Sequence, residues 1–274
     1  MRYVSYTHQG TPAWGRVEGE SIIDLAGYAP DLKTALERGL DAAPATGPKL
    51  PRAEVTLLPV VPNPAKIFCV GHNYESHRVE TGRAATDYPS IFTRFADTLT
   101  GAQDPIVRPR VSSDLDYEAE LAVVIGTGGR NISQADAMRH VAGFACFNDA
   151  SVRDWQWHSR QFTPGKNFPD TAPFGPELVT PDEVGDLDAV RVQAILNGTV
   201  MQSATLDHML FPIPVIIEYI SRFTPLSAGD VIATGTPGGV GAKRTPPVWM
   251  KAGDEIVVEI SGIGRLVSRI ADEV

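Results

Sequence analysis

The stretch Leu115-Asp-Tyr-Glu-Ala-Glu-Leu-Ala-Val-Val-Ile-Gly126 places the tightest limit on the fold. From Leu121 to Ile125 every residue is apolar and Gly126 closes the run, the pattern of a short strand entering a core. Side chains alternate faces along a strand, so Glu118 and Glu120 point the same way. Neighbouring carboxylates repel, and burial raises the cost. A divalent cation between them is the simplest relief. A solvated edge strand carrying two acidic residues accounts for the spacing equally well.

Composition supports a β-rich globular chain. Its 274 residues suit one large domain, or one large and one small, and 43% hydrophobic content can fill a sizeable core. The 25 glycines and 22 prolines argue for many strands and turns over a helical bundle. A net charge of −9 makes nucleic acid and anionic membranes poor partners. No apolar run approaches the ~18 residues of a membrane helix, and the N-terminus has no secretory apolar core. Cys69 and Cys146 both sit among apolar residues and read as reduced core thiols, so a cytoplasmic location is expected.

Residues 1–60 look like a small separate unit, with strand-like alternation at Tyr3–Tyr6 and Trp14–Val17 and a helical pattern over Asp31–Leu40. Asp41–Pro51 reads as a flexible connector. Lys66–Val70 is a buried strand, followed by His72–Glu80. If that segment is helical, His77 and Glu80 lie at i and i+3, where the carboxylate can orient the imidazole as a general base. A surface ion pair fits the same spacing. Thr81–Pro89 is polar and lid-like. Ser133-Gln-Ala-Asp136 suggests a cap for a helix through about His140. Val141–Phe147 is a buried strand that delivers Asp149, a third carboxylate. Ala150–His158 reads as a short helix with Arg153 and Gln156 on one face, and Pro164–Phe168 as a turn presenting Lys166. Asn197-Gly198 is a hairpin turn, and Ile213–Phe223 an apolar helix. The glycine-rich Gly235–Gly241 is either an anion-binding loop or a tight structural turn.

Glu118, Glu120 and Asp149 supply oxygen ligands without Cys or suitably spaced His. That chemistry favours a hard ion, Mg²⁺ or else Mn²⁺ or Ca²⁺, over zinc. Lys166 and Arg153 nearby would suit a small anionic substrate. There is no Gly-x-Ser-x-Gly elbow and no dinucleotide fingerprint.

The ordered motifs Val70-Gly-His-Asn-Tyr-Glu-Ser-His-Arg-Val-Glu80, Asp116–Gly126, Asn148–Gln156, Gly165-Lys-Asn-Phe168, Phe174–Thr180 and Gly229–Gly241 resemble the fumarylacetoacetate hydrolase superfamily from about Lys66 to Ile270. The resemblance implies a mixed α/β, mainly β fold. A β-roll catalytic domain would span 61–274, a small β-rich N-terminal domain would span 1–60, and the protein would be a homodimer. It implies Mg²⁺ or Mn²⁺ on Glu118, Glu120 and Asp149, with His77 and Glu80 as a water-activating dyad. It also implies Lys166 as a catalytic residue and Arg153, Gln156 and Thr236 as substrate contacts. Two departures stand out. Asn167 and Pro169 replace a serine and an acidic residue common after the lysine, with Asp170 displaced by one, and His72 replaces an apolar or long basic residue. The activity implied first is metal-dependent hydrolysis of a carbon–carbon bond in a 2,4-dioxo acid of the acylpyruvate or fumarylpyruvate type, in aromatic-compound catabolism. Decarboxylation of a 2-oxo acid, or isomerisation or hydration of 2-hydroxy-dienoates, would use the same site. A non-catalytic acid binder would have no need of His77 and Glu80.

Overall fold

The apolar run forms the middle of the protein. In the computed structural model, which describes residues 1–274, strand Ala119–Ile125 is buried along its whole length. It pairs antiparallel with Val141–Asn148 on one side and Val231–Ala233 on the other. A strand buried on both faces has no need of polar alternation, which explains the unbroken run. Leu121, Val123 and Ile125 face one core, shared with Ile216, Ile217 and Ile220 of helix Ile213–Phe223. Ala122 and Val124 face a second core, shared with Leu32, Ala35 and Leu36 of helix Leu32–Arg38.

The large sheet continues outward through Ala172–Val179 to Arg2–His8, Thr11–Glu18, Ser21–Asp24 and Lys49–Pro51. On the other side it ends with Ile67–Gly71 and Ser90–Arg94. The N-terminal strands are thus hydrogen-bonded into the same sheet as the rest, with Arg2 opposite Val179. A second, five-stranded sheet runs Thr199–Thr205, Arg191–Leu196, Glu255–Ile260, Gly264–Asp272, Ile106–Arg108. Its apolar face, through Val192, Ala194 and Val258, closes the first core. Asn197 and Gly198 both have positive φ (49° and 79°), the requirement of the tight hairpin turn expected there. The fold is mixed α/β and mainly β. No helix is long and apolar enough to cross a membrane.

Four local expectations change. The connector Asp41–Pro51 is not free: Lys49–Pro51 pairs with Ser21–Asp24, which satisfies its backbone. Ser133 and Asp136 do bond to each other, yet only a single tight turn, Ala137–His140, follows, because the sheet takes the chain from Val141. The helix after Asp149 shrinks to Arg153–Gln156, since Ser151–Val152 pairs with Leu115–Asp116. Lys166 is not displayed on an open turn. It ends the helical turn Thr163–Lys166, with its side chain buried.

Candidate active site

Strand pairing assembles the acidic cluster. Glu118 and Glu120 lie at the entry of the central strand, and Asp149 follows directly after its neighbour. Ala119 opposes Asn148, and the Asp149 amide donates to the Glu118 carbonyl at 2.9 Å, so the third carboxylate arrives beside the first. One oxygen from each of the three lies within 4.8 Å of the others, and all three residues are buried.

The surrounding cations are unequally shared. Lys166 Nζ donates to Glu118 Oε2 and Asp149 Oδ2, both at 2.6 Å. Arg94, buried in strand Ser90–Arg94, donates to the other Asp149 oxygen and to the Ala150 carbonyl. Arg153 donates to Asp116 Oδ2 and Gln156 Oε1, each at 2.8 Å. Its Nη2 lies 2.7 Å from Glu118 Oε1 but makes no aligned hydrogen bond. Burial pushes the Glu118 carboxyl up, but Lys166 and Arg153 outweigh it and hold the group well below the usual range. Glu120 has no such partner; burial, then Asp149 and Glu118, push it well above the usual range. Four clustered carboxylates, counting Asp116, face three cations. An all-oxygen donor set with an uncompensated member fits a hard divalent cation.

The glycine-rich loop resolves in favour of the protein's own acids. Gly235 N–H donates to Glu120 Oε2, Gly239 N–H to Glu80 Oε2, and Gly241 and Ala242 N–H to the two oxygens of Asp116, at 2.8–3.0 Å. The loop is an anion cradle whose anions are side chains. Gly235 has φ 104°, and a Cβ there would lie 2.6 Å from Asn73 Cβ, so glycine is required. Thr236 donates to the Ala119 carbonyl at 2.9 Å and accepts from Gln202 at 2.8 Å.

His77 and Glu80 share helix Glu75–Glu80, and His77 Nδ1 lies 2.7 Å from Glu80 Oε1. A carboxylate only accepts, so Nδ1 is the donor, and in the neutral imidazole Nε2 is the atom that holds the lone pair. The His72 ring stacks on His77 at 5.2 Å, 12° from parallel. Burial, then His77, hold the His72 imidazole down at about 4. All the site residues expected from sequence, except Asp149 and Glu80, line one cavity of about 370 Å³. Asp149 and Glu80 stand behind it as partners of Lys166 and His77.

Two members of the cluster, Asp116 and Arg94, are absent from the sequence-based set. Asp116 continues the alternation of Glu118 and Glu120 and was in principle visible. Arg94 is the one charge in the short strand Ser90–Arg94, and nothing in the sequence gives its partner.

Residues 66–271 match the family model described as fumarylacetoacetate (FAA) hydrolase C-terminal, and residues 1–59 match one described as Rv2993c-like, N-terminal. The chain belongs to the fumarylacetoacetate hydrolase family. Within that family it is 40% identical to a mitochondrial oxaloacetate tautomerase of Bos taurus, over 98% of this chain and 91% of that one. It is 42% identical to an oxaloacetate tautomerase of Bacillus subtilis (strain 168), over 80% and 74% of the two chains. The solved fumarylacetoacetate hydrolase of Exiguobacterium antarcticum superposes with a TM-score of 0.87 at 36% identity, with both chains fully covered.

Proposed function

We propose that this protein interconverts the enol and keto forms of a short 2-oxo acid, with oxaloacetate the first substrate to test. The observation that carries the reading is its similarity, at 40% and 42% identity, to two proteins named for that reaction. The buried acidic triad and the His77–Glu80 pair supply the chemistry. Glu118, Glu120 and Asp149 would hold Mg²⁺ or Mn²⁺. A divalent ion there would polarise the 2-oxo group and lower the cost of negative charge on its oxygen.

The chain's own residues divide the remaining work. From enol to keto, the C2 hydroxyl loses a proton, C3 gains one, and the double bond moves from C2–C3 to C2–O. His77, oriented by Glu80, takes the hydroxyl proton and returns it to C3, so the protein ends unchanged. Lys166 and Arg153, both on the cavity wall, stabilise the charge that builds on the oxygen between those steps. Gln156 fixes the Arg153 guanidinium, and Thr236 completes the wall.

Hydrolytic cleavage of a 2,4-dioxo acid, the leading expectation from sequence, would use the same dyad on a water molecule. The activities named for the relatives favour isomerisation, which needs no water. Incubation with Mg²⁺ or Mn²⁺ and a panel of oxaloacetate, acylpyruvates and hydroxymuconate-type enols separates the two. Tautomerisation leaves product mass unchanged; added water or lost CO₂ as the dominant outcome would overturn the assignment.

A further inference from the structure

The cavity carries charged side chains at two depths. Its inner end holds Glu118, Glu120 and Lys166, all buried. Its exposed wall holds Arg83 and Lys243. The inner cations are already engaged, Lys166 with Glu118 and Asp149, and Arg153 with Asp116 and Glu118. Arg83 and Lys243 are the cavity cations left without a carboxylate.

Each is steadied by a ring on the cavity wall. The Arg83 guanidinium lies over Phe162, 5.9 Å from the ring centre, and Lys243 Nζ lies over Trp157 at 5.6 Å. An aromatic face orients a cation without neutralising it, so the N–H groups stay free for an anion. Arg83 is also tied through its backbone: its N–H donates to the Arg78 carbonyl at 3.1 Å, and its carbonyl accepts from Arg78 Nη1 at 2.6 Å. The two cations come from separate places, one just past the helix bearing His77 and Glu80, the other from the turn Gly241–Lys243 after the glycine-rich loop. Both line the cavity that also holds Glu118 and Glu120.

We infer that Arg83 and Lys243 form a subsite for a second, distal carboxylate, so that the enzyme prefers 2-oxo dicarboxylates to 2-oxo monocarboxylates. The inference rests on the 2-oxo acid reading above and adds the group that selects within that class. A 2-oxo acid head would occupy the inner end. A carboxylate one or two carbons further along would meet two unpaired cations; a methyl group would meet them without gain.

The test compares 2-oxoglutarate with 2-oxopentanoate, which differ only by a carboxylate in place of a methyl group. Calorimetric titration of the Mg²⁺-supplemented wild type should give roughly five- to tenfold tighter binding of 2-oxoglutarate, the scale of two exposed ion pairs. That ratio should shrink as salt is raised. In the Arg83→Gln, Lys243→Gln double variant the ratio should fall to about one while 2-oxopentanoate affinity holds, a loss of only the exposed-pair contribution. Equal affinities in the wild type, or equal weakening of both ligands in the variant, would overturn the subsite. Oxaloacetate tautomerisation by the same wild-type preparation is assayed in parallel. If that activity is missing while the preference persists, the reaction assignment fails and the subsite stands.

Discussion

At the scale of single residues, the site is a set of charges that stabilise one another only as a group. Asp149 is fully buried between Lys166 and Arg94. Removing one partner of a buried pair leaves the other charge in a medium that cannot solvate it. Arg94→Met should therefore cost the metal-free protein about 3–5 kcal/mol in urea unfolding, and adding Asp149→Asn should recover part of the loss. An unchanged midpoint for the single variant would show that Asp149 does not depend on Arg94. His72 gives a pH signature. Its imidazole is held at about 4 in the folded protein against 6.5 as its ordinary value, chiefly by burial. Between those values the unfolded chain binds the extra proton, so stability falls as pH drops from 6.5 toward 4. His72→Asn, which tolerates the φ of 55° found there, should flatten that part of the stability curve. A curve of the same slope would exclude His72 as its source.

The elements show what local sequence carries and what it leaves out. The central strand, the Asn197-Gly198 hairpin and helix Ile213–Phe223 were all readable, because each is a local pattern of apolar spacing or turn chemistry. The meeting of Glu118 with Asp149 was only half readable. The residues were visible, but their proximity depends on the register Ala119 to Asn148, a non-local pairing. Arg94 and the true role of the glycine-rich loop were unreadable for the same reason: a donor shows in sequence, its acceptor does not. That loop yields a prediction of its own. Gly235→Ala would force a side chain into a positive-φ position and against Asn73. The variant should lose about 2 kcal/mol or more in thermal unfolding, from strain and overpacking combined. It should also weaken divalent-ion affinity, because Gly235 N–H orients Glu120. Wild-type stability and ion affinity together would contradict the cradle role.

The whole molecule brings these parts together by burying one strand between two cores. Residues of opposite parity on Ala119–Ile125 anchor the two cores, so the strand's entry, with Glu118 and Glu120, is held from both sides. Rigid placement lets a cluster of like charges persist without collapsing, and a divalent ion would complete its charge balance. The most direct test follows the ultraviolet absorbance of enol-oxaloacetate as it converts to the keto form, with protein stripped by chelation and then resupplied with Mg²⁺ or Mn²⁺. The account predicts acceleration by the wild type that disappears on chelation, returns with the ion, and is absent in Glu118→Ala under either condition. Acceleration that survives chelation, or that Glu118→Ala retains, would contradict it.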